Sequence, residues 1–255
     1  MRPCFWFILA ALCFVANGHA DSLPIQQWIR EAIQSGGGTV TIPEGVHELT
    51  SPLIIEDAQK LAIRGMNKER CLLKLKAGTL GPPAPLISIK GTSRTLEISG
   101  LTLEGSSSTS ILLWIASPDT QAAVKDVTVR DCLFKDFEQG IQAQRVHSFS
   151  LERCSFSDGS RAVVLQDTPA AIARGNHIIR VTTAFDCIRA ESGVFDGNEL
   201  WNCDVGFSIH EPSQAEKPTV IRRNGFIQTR LGLAIPEGQE LPLLENNENL
   251  VKGTR

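Results

Sequence analysis

Four things are missing from this chain, and each absence excludes a class of protein. There is no excess of basic charge: 25 Lys and Arg face 28 Asp and Glu, a formal net charge of −3. Such a balance gives no electrostatic footprint for a nucleic-acid backbone. Beyond an N-terminal leader there is no apolar run of about 18 residues, so no helical membrane span is expected. No Cys-x-x-Cys pair occurs and no His stands at zinc-finger spacing, which argues against a structural zinc site. No Asn-x-Ser/Thr sequon occurs, so the mark of a glycosylated eukaryotic surface is absent. The apolar fraction, 42%, is that of an ordinary globular chain, which excludes wholesale disorder.

Residues 1–20 read as a secretory signal. Arg2 supplies the charge, residues 4–16 the apolar run, and Gly18-His19-Ala20 a small-x-small cleavage site. Leu12 before Cys13 does not fit a lipoprotein. The expected locale is periplasmic or secreted, with cleavage near Ala20. Five cysteines remain after the leader, Cys71, Cys132, Cys154, Cys187 and Cys203. An odd number prevents complete internal pairing, and free thiols are expected at Cys132 and Cys154.

The dominant signal is a repeat. A short apolar-alternating segment, a polar step and one special residue recur, with the special residue at 101, 132, 154, 176, 198, 224 and 247. The spacing settles at 22, with occasional extra residues, as in a solenoid carrying loop insertions. From residue 176 onward the special residue is Asn: Asn176, Asn198, Asn224 and Asn247. An Asn at a tight turn tolerates a left-handed backbone and can bond along a stack. Eight residues later a small residue precedes an apolar one: Gly140-Ile141, Ala162-Val163, Gly206-Phe207 and Gly232-Leu233. Cys187-Ile188 reads as the same pair, delayed by three. Three short strands per 22 residues, with no helix between them, fit one coil of a parallel β-helix.

With that repeat, the chain resembles the right-handed parallel β-helix proteins, the pectate-lyase-like superfamily, over about residues 22–250. The opening also matches: a helical segment at 25–33 with Ser22 as cap, then Gly36-Gly-Gly, then Val-Thr-Ile-Pro-Glu-Gly ending at Gly45. The expectation is an all-β, right-handed parallel β-helix of about eight coils. It is one domain over 21–255, with a capping helix at about 22–35.

The resemblance implies that polysaccharide binds along one outer sheet, the one carrying the Gly-Ile-type strands. Two outward columns are read there. One runs Gln142, Val164, Arg189, Ser208, Ala234; the other runs Gln144, Gln166, Glu191, His210, Pro236. Asp167 and Glu211 extend the second column by one residue. Arg189, Glu191 and His210 are the catalytic candidates. Glu191 beside His210 would orient the imidazole as acid or base, and Arg189 would neutralise a uronate carboxylate. Gln142, Gln144, Gln166, Asp167, Glu211 and Trp114 are the substrate-binding candidates, with Trp114 an aromatic platform if its ring faces outward. In a hydrolase, Asp167, Glu191 and Glu211 would divide the acid and base roles.

The loops 211–218 and 117–123 are candidate groove walls. The Asn-Thr-Asp, Asp-Asp and Gly-His-Gly set of polygalacturonases is absent, as is the Asp-Pro-His-Asp of mannuronan epimerases. No cofactor and no metal ligand set is expected, although the resemblance allows Ca2+. The leading expectation is a monomer that binds polysaccharide and, if an enzyme, cleaves a uronate chain by lyase-type elimination. The alternative is a non-catalytic carbohydrate-binding or envelope scaffold; the sequence leaves the choice open.

Overall fold

Because the apolar positions recur every 22 residues or so, each coil must stack its core on the next. In the computed structural model, which describes residues 24–78, 83–107, 109–117, 124–190, 192–210, 218–237 and 241–254, they do. The chain winds as a parallel β-solenoid of about eight turns. A nine-stranded sheet forms one wall. A fourteen-stranded sheet forms the other two, because strands such as Leu133–Gln144, Ser155–Gln166 and His177–Ile188 run through a corner without breaking. Among the described residues all strand pairing is parallel, and between Val124 and His210 the register is 22 residues, as in Phe134↔Phe156 and Phe156↔Ile178; elsewhere loop insertions lengthen most of the steps.

Each corner carries a left-handed residue that lets the chain turn sharply. The first corner uses Asp131, Arg153, Gly175, Gly197, Arg223 and Asn246. The second uses Asp136, Asp158, Arg180, Asn202 and Gln228, and the third Arg145, Asp167 and Arg189. The expectation that the Asn column itself adopts this conformation is corrected here. The strained residue stands one place earlier, and the Asn that follows turns its amide into the core. Asn176, Asn198 and Asn224 are buried to 1% exposure or less.

The Asn amides form a continuous ladder. Asn198 Oδ1 accepts from the Asn176 backbone N–H (3.1 Å) and Nδ2 (2.8 Å). Asn224 Oδ1 accepts likewise from Asn198 (2.9 and 2.9 Å), and Asn247 Oδ1 from Asn224 (3.0 and 3.1 Å). Each Nδ2 also donates to a carbonyl of the preceding coil, as Asn198 does to Ala173 O at 3.0 Å. Every buried polar atom of the column is thereby paired. Cys154 continues the column, its N–H donating to Asn176 Oδ1 at 2.9 Å. All five cysteines expected to remain after the leader are buried, free thiols. Burial pushes the Cys154 thiol well up, so it stays protonated.

The bore is filled by stacked rings and branched aliphatics. Phe134 lies on Phe156 at 4.5 Å and Phe185 on Phe207 at 4.9 Å, both nearly parallel. The pair of columns eight and nine residues past the Asn position needs a small residue first, because the neighbouring coil passes close. A Cβ on Gly206 would sit 2.6 Å from Gly232 O and 2.6 Å from the Phe226 ring. We expect Gly206→Ala to cost about 1–3 kcal/mol by overpacking, read as a lower urea midpoint. An unchanged midpoint would mean that the coils can separate at this point.

The small-apolar pair of the coil after Asn176 is Ala184-Phe185. Phe185 pairs with Val163 and Phe207 and is fully buried. The reading of Cys187-Ile188 as a delayed pair is therefore corrected: the eight-residue offset holds without delay. Both pairs have the same small-then-apolar look, and only the strict offset separates them. Cys187 does point inward, between Leu165 and Ile209, two residues further along the same strand.

The capping helix is shorter than expected, Ile25–Gln34, and Pro24 occupies the N-cap with no side-chain cap bond. Ser22, expected as the cap, and the leader 1–20 lie outside the described residues. Ile25 and Ile29 are fully buried, and Trp28, Ala32 and Ile33 pack against the core. Gln26 pairs both ways with the backbone of Ile54, Nε2 to O at 3.0 Å and N to Oε1 at 2.7 Å. The helix thus supplies edge hydrogen bonds that a free strand would leave exposed.

Candidate functional site

Inward and outward residues alternate along the third wall. Its outward row, read from the pairing, is Ser88, Trp114, Gln142, Val164, Asp186, Ser208, Ala234. The next outward row is Ala116, Gln144, Gln166, Ile188, His210. Trp114 therefore faces out, in line with Gln142, while Leu113 and Ile115 are buried. Gln142, Gln144 and Gln166 stand where the sequence reading put them. Arg189 and Glu191 were expected in these rows. Their places belong to Asp186 and Ile188, a direct consequence of the three-residue misalignment of this coil.

Arg189 instead occupies the third corner and grips Asp167 one coil earlier, Nε to Oδ1 at 2.6 Å and Nη2 to Oδ2 at 3.0 Å. The same grip, with the same separation of 22, recurs at the other corners: Arg153 on Asp131 at 2.9 and 3.0 Å, and Arg180 on Asp158 at 2.6 and 2.8 Å. One geometry at three unrelated corners marks a coil-to-coil clamp. The Arg189 guanidinium holds the Asp167 carboxyl below the usual aspartate range, aided by Arg145. The contribution is present above the unfolded aspartate pKa, about 3.9, and is lost as pH falls through the lower folded value. Both side chains are about a third or more exposed, so the clamp is worth under about 1 kcal/mol. We expect wild type and Asp167→Asn to differ by that amount near pH 7. The difference should close only below pH about 3.9, measured by urea unfolding across pH.

Three other side chains converge on the third wall. His210 Nε2 lies 2.8 Å from Ser208 Oγ and 3.2 Å from Asp186 Oδ1. Arg161 Nη1 stands 3.7 Å from Asp186 Oδ2. Asp186 is only 8% exposed. Its Oδ1 is buried and, among the described residues, makes no hydrogen bond. Ser208 is buried beneath the half-exposed imidazole. The Nε2 atom faces both the hydroxyl and the carboxylate, so this is not a nucleophile relay, in which serine and carboxylate take opposite ring nitrogens. The chemistry it offers is proton transfer by an imidazole set beside a carboxylate, with a guanidinium at its flank.

Of the residues singled out from sequence, the structure brings only His210 into this cluster. Glu191, Glu211 and most of the expected groove walls, 118–123 and 211–217, lie outside the described residues. Asp186 and Arg161 were missed. The signal that finds Asp186 is present: it follows Phe185 by one, and an outward acid after an inward apolar residue is what period-two alternation gives. Other histidines play local parts. His47 is buried and bonds Pro43 O at 2.8 Å, and His177 pairs with Glu199 at 3.4 Å. Among the described residues no group of three or more His, Cys, Asp or Glu could hold a metal ion. No described helix is long and apolar enough to cross a membrane.

Comparison with known proteins places this geometry. No curated protein matches the sequence. Among solved structures, the catalytic domain of a GH87 alpha-1,3-glucanase in complex with nigerose superposes with a TM-score of 0.67 at 14% identity, covering 95% of this chain and 46% of that one. The chain thus spans about half of that structure's length. The N-terminal fragment of bacteriophage Phi29 gene product 12 gives 0.58 at 11% identity, covering 89% and 50%. An alginate lyase from Paenibacillus sp. str. FPU-7 gives 0.55 at 11% identity, covering 90% and 95%. These likenesses concern the fold. The family model for the right handed beta helix region matches residues 85–249, and the chain belongs to that right-handed β-helix family.

Proposed function

We propose that this protein binds polysaccharide along its third wall and cleaves a uronate-containing chain there by elimination. The observation that carries the reading is the convergence of Asp186, Ser208 and His210, with Arg161 beside them, on the outward rows that Trp114 and three glutamines extend. Two fold neighbours, an alginate lyase and an alpha-1,3-glucanase, support a polysaccharide as the ligand class.

Arg161 faces the carboxylate of the sugar and makes the C5 proton more acidic. The neutral His210 imidazole takes that proton. The electron pair forms the C4–C5 double bond, and the C4–O4 bond breaks. The departing O4 takes the proton back from the imidazolium, so that one side chain serves as base and then as acid. Asp186 stabilises the transient imidazolium, which gives its buried oxygen a charged neighbour at the moment of reaction. Arg189 and Asp167 support the wall from its corner, outside the reaction. Glu191 and Glu211 flank the site in sequence. The reading includes export, with the leader removed near Ala20; N-terminal sequencing of protein from the periplasm or medium tests that part.

The test of the reaction is ultraviolet absorbance of unsaturated products from alginate, pectate and glycosaminoglycans. Product from one of them supports elimination. Retention on a polysaccharide column without product from any would replace it with the carbohydrate-binding scaffold reading, which uses the same wall.

A further inference from the structure

The second wall carries a surface that the reaction does not use. One of its outward rows runs Glu48, Lys74, Glu104, Lys135, Ser157, Ile179, Trp201, Ile227. The first four coils show alternating charges, and Lys74 bridges Glu48 at 3.3 Å. The last three coils show an indole between two isoleucines. Trp201 stays 36% exposed in that setting. The parallel row beside it runs His177, Glu199, Gly225. His177 Nδ1 lies 3.4 Å from Glu199 Oε2, and its ring stands 5.9 Å from the Trp201 ring, tilted by 58°.

Gly225 is the telling member. A Cβ built on it would meet nothing within 4 Å, and its φ is not one that demands glycine. Neither backbone nor packing requires glycine there, and the missing side chain leaves an open notch in the row next to that of Trp201 and Ile227. On the far side of the row, the corner presents Asn202 and Gln228, both exposed. An apolar plate is thus bordered by an imidazole–carboxylate pair on one side and by two amides on the other.

We propose that this notch is a second binding site, and that it takes a neutral pyranose ring. The axial C–H face of a sugar stacks on an indole, while its equatorial hydroxyls reach outward to a ring of donors and acceptors. His177, Glu199, Asn202 and Gln228 form such a ring. The charge selects a neutral sugar: Glu199 repels an acidic one, and Arg180, in the same column of corner residues as Asn202, is engaged by Asp158. The site is on a different wall from the Asp186 cluster and does not depend on it.

The test uses protein labelled with 5-fluorotryptophan and followed by fluorine NMR, with cellobiose and nigerose as probes. The Trp201 resonance is identified by its loss in Trp201→Phe. It is expected to shift saturably with one or both disaccharides, in the millimolar range. Gly225→Leu fills the notch from a Cβ position that meets nothing within 4 Å; it should keep the resonance and weaken the binding at least about tenfold. His210→Ala should leave it unchanged, which separates this site from the reaction. No shift at about 100 mM sugar would overturn the proposal. So would a shift equal in Gly225→Leu, or one that follows protein concentration alone and so reports self-association.

Discussion

Asn198→Ala will lower stability by about 3 kcal/mol or more. Asn198 is fully buried and holds four partners at once. Removing its amide strands the Asn176 backbone N–H and the Ala173 carbonyl, and takes one of two partners from both Asn176 Nδ2 and Asn224 Oδ1. Each stranded buried group costs about 1–3 kcal/mol, and a small cavity adds to the total. Asn247 makes the same bonds to Asn224, but at the open end of the ladder, where water replaces them. Asn247→Ala is therefore expected to cost only about 1 kcal/mol. Urea unfolding gives the totals, and amide exchange at residues 176 and 224 locates the damage. Equal and small losses at both positions would show that the ladder follows the fold and does not hold it.

The second large effect concerns turnover. On a uronate substrate that the wild type cleaves, His210→Ala should lower kcat by about 10²–10⁴, the usual contribution of a positioned acid–base group. Asp186→Asn keeps the shape, removes the charge beside the imidazolium, and should fall in the same range. Arg161→Ala should act on kcat/KM for acidic chains, because its partner is the substrate carboxylate. Arg189→Ala breaks the corner clamp on Asp167 and should keep activity within about twofold while lowering stability slightly. If Arg189→Ala abolishes turnover and His210→Ala does not, the chemistry belongs to the corner and the cluster assignment fails.

The fold was legible because its cause is periodic. A bore that stacks apolar residues every 22 positions writes that period into the sequence, and the Asn column marks it. The fine placement of the site was less legible, for a physical reason. The coil after Asn176 contains two small-apolar pairs, Ala184-Phe185 and Cys187-Ile188, and composition alone does not choose between them. Choosing the later pair moved Arg189 into a row that belongs to Asp186. It also hid the fact that Arg189 matches Arg153 and Arg180. Likewise the Asn residues were expected to take the left-handed turn themselves, when that conformation belongs to Gly175, Gly197, Arg223 and Asn246 just before them. A side chain that bonds into the core and a backbone that turns are separate requirements, met by neighbouring residues.

The 22-residue register makes length a property that can be edited in whole units. From Trp114 to Asp186 the outward row takes three steps, about 14 Å at roughly 4.8 Å each. Excising residues 155–176 would bring Asn198 to the place of Asn176, so that the Cys154 N–H meets the next amide in line. Every column would stay in phase, and the aromatic plate would move one rung nearer the imidazole. The solenoid is in that sense a graduated ruler, on which the separation between Trp114 and His210 is counted in rungs and never tuned continuously.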